Sequence, residues 1–207
     1  MIDPNRNVIS KSLLAGISVS VGCFLLLVCN HTLLGYLLFS IGFICCSIFD
    51  LNLFTDKCCT ISDSQDFRRL ILVILLNTFA AFIFGLLSSA LDPTVSMSAD
   101  NILKEHISND YLQCIIKSII TGFLLTAAVK SEMKDEHSHI IYALCVICFV
   151  STGCLHCIAE SFYYGASSMV YSNIGDLLFR LLIIVVFNFI GSNMYNLFVN
   201  KSLIHKS

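Results

Sequence analysis

Charge is what this 207-residue chain has least of. Only 13% of its residues are Asp, Glu, Lys or Arg, against 57% hydrophobic, and the mean hydropathy is +0.84. Soluble domains carry about 25% charged residues, so the shortage excludes an ordinary soluble fold and puts the chain in a lipid bilayer. Positive charge is not in excess either: a net charge of −2 gives no reason to expect a nucleic-acid partner. A disulfide framework is missing as well. The eleven cysteines are odd in number and mostly sit inside apolar runs, where a free thiol behaves as a small hydrophobe. No cleavable signal peptide is read, because the first apolar run is long and lacks a small-residue cleavage site followed by a soluble domain.

What the chain does have is long uncharged runs. They extend from Ser12 to Phe49, interrupted by the polar turn at Asn30 and His31, from Leu70 to Leu91, from Ile140 to Ala159 and from Leu181 to Asn200. About 20 helical residues cross the hydrocarbon, so the first run supplies two spans and each of the others one. Tyr111 to Val129 makes a sixth if Lys117 faces the bundle interior or snorkels to an interface. With the N-terminus inside, Arg6, Lys11, Lys57, Arg68, Arg69, Lys130, Lys134, Lys201 and Lys206 are cytoplasmic, and Lys104 alone lies in an outer loop. That bias predicts cytoplasmic termini in an inner or plasma membrane.

Two spans read as broken. The second meets DLNLFTDKCC at residues 50 to 59, and the fifth carries Gly153, His156, Glu160 and YYGASS at 163 to 168. Irregular backbone at membrane depth is tolerated only when buried in protein or lining a cavity. Breaks in the second span of each set of three predict an inverted repeat, halves about 1–91 and 100–207 of one channel domain, with the site between them. An echo supports this. Asn77 precedes Ala80 and Ala81, and Asn188 precedes Gly191 and Ser192, a spacing that lets helices approach closely while an amide bonds across.

His156 puts a titratable ring deep in an apolar element, which is either a satisfied interhelical hydrogen bond or a proton donor. Beside it, Cys154 and Cys157 have the spacing of a redox pair or of half a zinc site. No second ligand pair at zinc spacing is evident, although Cys58 and Cys59 could meet them, and the expectation is no metal and no cofactor. Asp176 and Arg180, four apart, are placed to pair on one helix face. The run KSEMKDEHSH at 130–139 reads as a solvated cytoplasmic loop.

These residues resemble one family. LLFSIGFICCSIFDLNLFTD (37–56) is similar to the broken second helix and LFT loop of the formate/nitrite transporters, and FVSTGCLHCIAESF (149–162) to their fifth-helix histidine segment. FNFIGSN (187–193) is similar to their sixth helix, AGISVSVG (15–22) to their first, and Asn77 fits their third, so the likeness spans nearly the whole chain. The resemblance implies an all-α membrane protein of six helices, an aquaporin-like inverted repeat with broken second and fifth helices. It also implies a homopentamer with one pore per protomer, moving a small monovalent weak-acid anion such as formate, nitrite or hydrosulfide, often with a proton, and no enzymatic chemistry. On that basis His156 is the central histidine and Thr55 its hydroxyl partner. Phe39, Phe43, Leu53, Phe54 and Phe149 are the apolar constrictions, Lys104 is the anion entrance, and Asn77 and Asn188 are structural amides.

The chain departs from the family pattern at several places. Acidic residues usual before the LFT and before the histidine are Asn52 and Leu155 here. The fourth-helix asparagine is replaced by Thr121 or Gly122, Glu160 stands where an asparagine follows the Ile-Ala pair, and Asp50 and Asp56 flank the loop. Three carboxylates near an anion path repel the ion unless protonated, neutralised or turned away. Two rival functions stay open at this point: a membrane thiol oxidoreductase using Cys154 and Cys157, and a non-conducting structural or sensing pentamer.

Overall fold

The computed structural model describes residues 4–59, 64–132 and 138–204, and among these the only regular secondary structure is helix. The elements are α1 (Pro4–Val28), α2 (Leu33–Ile48), α3 (Phe54–Cys58), α4 (Ser64–Leu91), α5 (Pro93–Ser108), α6 (Tyr111–Glu132), α7 (His139–Ser151), α8 (Cys157–Ala166) and α9 (Val170–Ile204). α9 is kinked at Asn173. Four stretches are long and apolar enough to cross a membrane: Asn7–Val28, Gln65–Leu91, Tyr111–Ser131 and Val170–Met194. The shorter apolar helices α2 and α7 each run into a non-helical break and then a second short helix, α3 or α8, consistent with two further, broken spans. Outward faces are apolar: Leu75, Phe79, Leu87, Leu112 and Leu144 are all well exposed. A surface of that kind is stable against lipid and not against water. Of the residues counted for orientation, Lys134 and Lys206 lie outside the described residues, as do residues 133–137 of the 130–139 run.

The two breaks are built alike. α2 closes with the Leu51 N–H donating to the Cys46 carbonyl at 2.8 Å across a left-handed Asp50 (φ 44°). α7 closes with the Cys154 N–H donating to the Phe149 carbonyl at 2.9 Å across a left-handed Gly153 (φ 66°). Each is the reversal by which helices commonly end, with the left-handed residue just past the last turn. Glycine takes that conformation freely and Asp50 tolerates it through its short polar side chain. Past the break, the amide of a distant asparagine rebuilds the missing backbone bonds. Asn77 of α4 accepts from Phe54 N–H at 2.9 Å and donates to the carbonyls of Ser12 (2.7 Å) and Asn52 (3.0 Å). Asn188 of α9 accepts from Cys157 N–H at 3.0 Å and donates to the carbonyls of Ser118 (2.8 Å) and Leu155 (2.9 Å). The partners correspond one to one. Both asparagines are fully buried, and backbone polar groups without water need such partners.

Close helix approach accompanies the amides. A methyl on Gly16 would press on the Asn77 carbonyl, and one on Gly122 on the Asn188 carbonyl. One feature not foreseen from the sequence is α5, which fills the 92–110 segment read above as a loop. Asp92 caps it, accepting from Thr94 N–H at 2.9 Å with Pro93 in the first turn, and Val95, Ala99, Ile102 and Leu103 form its buried stripe. Arg180 of α9 holds the other end, donating to the carbonyls of His106, Ile107 and Asn109 while pairing with Asp176 at 2.7 Å. A cation on the last carbonyls of a helix satisfies them and offsets its dipole. Asp100 ties α5 to the end of α8, accepting from Ser167 Oγ, from Ser168 N–H at 3.0 Å and from Ser168 Oγ at 2.8 Å.

Candidate functional site

His156 is the N-cap of α8, in extended backbone, and only 1% exposed. Its Nδ1 accepts from the Ala159 N–H at 3.4 Å. A nitrogen that accepts carries no proton, so the neutral ring bears its hydrogen on Nε2, and Nε2 lies 3.3 Å from Thr55 Oγ1. Thr55 sits in the first turn of α3. The Thr55–His156 contact is therefore where the starts of the two short helices meet, bringing together residues far apart in sequence. An imidazole N–H and a hydroxyl there can each donate to an anion, in a setting of partly positive helix ends.

Aromatic rings close around the histidine. Phe43 lies 5.0 Å and Phe149 5.9 Å from its ring centroid, and Phe39, Phe43 and Phe149 contact one another at 5.3 to 6.0 Å. Leu53 caps α3 and Phe54 begins it, both buried. All five residues named from the sequence as constrictions thus sit at the two breaks or on the helices that flank them. Edge-on and tilted packing of this sort is favourable in itself.

A cavity of about 120 Å³ opens on the α5 end of the bundle and reaches His156; its walls include His31, Phe39, Glu105, His106, Phe149, Cys154 and Glu160. Lys104 is not on that wall. It points outward from α5, whereas its neighbours Glu105 and His106 face the cavity. The cation beside the cavity is Lys117, which donates to Asn109 Oδ1 at 3.3 Å; a methyl on Gly153 would sit 3.7 Å from both Lys117 Nζ and Glu105 Oε1. Lys117 thus reaches toward the α5 end, the snorkelling alternative above. At the other end a cavity of about 270 Å³ touches Asn52 of the first break together with Lys57 and Arg69.

The three carboxylates flagged in the sequence have three different fates. Asp50 is mostly exposed and lies between Lys11 (2.8 Å) and Lys57 (3.1 Å). Asp56 is buried, accepting from the Tyr142 hydroxyl at 3.1 Å on both oxygens. Glu160, 2% exposed, faces His106, with Oε1 2.7 Å from Nδ1. His106 was not singled out from the sequence; its signal is its place on the buried stripe of α5, three and four residues after Leu103 and Ile102. Among the cysteines, Cys154 borders the cavity, while Cys157 is fully buried with its N–H given to Asn188, so the two do not present a dithiol to one solvent space. Among the described residues no cluster of His, Cys, Asp and Glu is arranged to hold a metal ion.

A lipid-facing bundle with two matched broken helices meeting at a buried histidine defines a membrane transport protein. A sequence profile of the family described as Formate/nitrite transporter matches residues 2–201, and the chain belongs to that family, one of transporters and not of enzymes. Among solved structures it is similar to a pentameric formate channel with formate bound, at 20% identity and a TM-score of 0.81 over 99% of this chain and 100% of that one. It is also similar to an FNT family ion channel, at 18% identity and a TM-score of 0.82 over 96% of this chain and 91% of that one. These likenesses show the fold. A comparison with curated protein sequences finds no match.

Proposed function

We propose that the chain is a channel or proton-coupled facilitator for a small monovalent weak-acid anion of the formate, nitrite or hydrosulfide kind, working as a homopentamer with one pore in each protomer. The observation that carries this reading is the Thr55–His156 pair, a hydroxyl and an imidazole N–H 3.3 Å apart, with Phe43 and Phe149 packed against the histidine ring and His156 on the wall of a cavity. A bare anion in an apolar ring is expensive, and the neutral acid far less so. A proton taken up near His156 therefore lowers the barrier that the phenylalanines raise. Leu53 and Phe54 form the constriction on the side of the termini, which are cytoplasmic in an inner or plasma membrane. Lys104 on the outer surface of α5 and Lys117 behind Gly153 supply positive potential at the opposite mouth. The halves 1–91 and 100–207 are the two repeats of a single domain, with Asn77 and Asn188 as its structural amides.

Uptake into proteoliposomes tests this. Formate, nitrite and hydrosulfide are compared between about pH 5 and 8, for the native chain and for His156→Phe. Fast, pH-dependent uptake that disappears in the variant is expected. Folded, pentameric protein with no flux above empty liposomes sinks the proposal and leaves the non-conducting pentamer.

A further inference from the structure

Glu160 is buried to 2% on the wall of the cavity that leads to His156. A buried carboxylate without a counter-charge is strongly destabilising, and the group that meets it is His106, Nδ1 to Oε1 2.7 Å, with both side chains largely covered. The approach is short but off the line of the ring N–H, so His106 Nδ1, itself buried, has no aligned hydrogen-bond acceptor among the described residues. A histidine that touches a buried carboxylate without a hydrogen bond to it, and that also lines the cavity, is placed to pass a proton to a ligand there.

We propose that His106 and Glu160 form a proton-donating site in the vestibule on the α5 side, which meets a weak-acid anion as an imidazolium and sends it toward His156 as the neutral acid. This rests on the pore reading given above and adds to it where the proton comes from. One ring N–H bond of the imidazolium breaks and a bond from that proton to the anion's oxygen or sulfur forms. His106 is left neutral beside the Glu160 carboxylate, and a proton from water in the vestibule restores the imidazolium. Nothing is oxidised or reduced, and one proton accompanies each anion.

The surroundings decide when this works. Glu105 of α5, His31 from the turn between α1 and α2, and Tyr36 of α2 share the cavity wall. Tyr163 of α8 packs its ring 6.4 Å from that of His106. Lys117 of α6 stands beyond Gly153, and Arg180 of α9 is spent on the backbone carbonyls of α5. With His106 charged, two carboxylates face two cations and the vestibule is neutral. Burial holds His31 below the ordinary histidine range, Glu105 opposing and His106 adding to that effect, so His31 is not charged in its place near neutral pH.

Donation also separates substrates. An imidazolium, near 6.5 in water, gives its proton readily to hydrosulfide, whose conjugate acid is only slightly weaker, and uphill, by more than two orders of magnitude, to a carboxylate of about 3.9. Hydrosulfide uptake should therefore need His106 as a donor, and formate uptake mainly its charge.

The test is uptake of both anions by pentameric protein in liposomes, for the native chain, His106→Lys, His106→Gln and Glu160→Gln. Lysine keeps the charge but, near 10.4, releases its proton poorly. His106→Lys is expected to leave formate uptake within about twofold and to cut hydrosulfide uptake about tenfold, while His106→Gln cuts both. Glu160→Gln, which removes the counter-charge, should lower hydrosulfide uptake near neutral pH and recover on acidifying the α5 side. Hydrosulfide uptake and its pH profile unchanged in His106→Lys and His106→Gln would overturn the proposal. If the native chain conducts neither anion, the pore reading fails. The pair is then read by NMR of ring-labelled histidine: an imidazolium at neutral pH that disappears in Glu160→Gln upholds it, and its absence in the native chain overturns it.

Discussion

Replacing Asn188 by leucine removes three hydrogen bonds at a place where no water can stand in. The side chain is fully buried, accepts from Cys157 N–H at 3.0 Å and donates to the carbonyls of Ser118 at 2.8 Å and Leu155 at 2.9 Å. Leucine keeps the branched four-atom side-chain skeleton but is bulkier, so overpacking can only add to the polar loss. The three partners are not equal. Ser118 lies inside α6, where its carbonyl keeps the helical bond from four residues on. Cys157 N–H and the Leu155 carbonyl belong to the break and depend on the amide. An orphaned buried group costs about 1–3 kcal/mol, whereas interhelical bonds in membranes average nearer 0.6 kcal/mol because the unfolded chain also finds partners. Two dependent groups and one independent one then give about 2–4 kcal/mol.

Thermal unfolding in detergent reads the total, and the reactivity of Cys157 toward a small polar thiol reagent reads the local opening. That thiol is fully buried in the native chain, and 2–4 kcal/mol corresponds to roughly thirty- to a thousandfold more opening. Asn188→Asp sharpens the test. It keeps the acceptor for Cys157 N–H but turns a carboxylate toward two carbonyls, so it should be at least as damaging as leucine. Asn77→Leu should match it, since Asn77 makes the same three bonds at the other break. Asn188→Leu within about 0.5 kcal/mol of native, with Cys157 still protected, would refute the claim that these amides hold the breaks together.

Three further outcomes follow from the geometry. Thr55→Val removes the hydroxyl 3.3 Å from His156 Nε2 and should cost less than about 1.5 kcal/mol of stability while slowing anion uptake in the same liposome assay. Gly122→Ala pushes a methyl into the Asn188 carbonyl and the Ser192 backbone, which cannot rotate away, so α6 and α9 must part at about 1–3 kcal/mol in thermal unfolding. The Asp100 carboxyl is partly buried, which raises it, but hydrogen bonds from Ser167, Ser168 and the Met169 backbone outweigh that and hold it below the usual range. A depressed carboxyl stabilises above its unfolded value of about 3.9 and loses that contribution as pH falls through the folded value. Acid should thus loosen α5 from α8, seen as faster amide exchange at Ser168, and Asp100→Asn should make that exchange less dependent on pH.

How much of this was legible depended on whether the cause was local. The breaks were, because polar residues and Gly153 interrupt otherwise continuous apolar runs, and so were Thr55, His156 and the phenylalanines through the family's pattern. Asn77 and Asn188 were recognisable from the small residues that follow them, but which carbonyls they bind was not, since the partners are dozens of residues away. The helix α5 carries a local signal, Asp92-Pro93 followed by apolar residues at helical spacing, in a segment too polar to cross a membrane. Lys104, Glu105 and His106 are consecutive, and on a helix successive residues point about 100° apart, so only the helix decides which of the three faces inward. Lys104 faces out.

The helix α5 also supplies the partner of Glu160, and that pairing bears on what its charge means for the proposed anion path. Of the three carboxylates, Asp50 is turned outward between two lysines and Asp56 is engaged by Tyr142, so only Glu160 shares a cavity with the route to His156. Taken alone it would oppose a monovalent anion about 7 Å away by about 2 kcal/mol at an effective dielectric of about 20, a loss of occupancy of roughly thirtyfold. On the donor-site proposal above, an imidazolium 2.7 Å from the carboxylate turns that monopole into a short dipole, whose effect at the same distance is much smaller. Substituting Glu160 by glutamine then does not simply remove a repulsive charge. It removes the counter-charge of His106, and the proposed anion path loses a cation together with an acid.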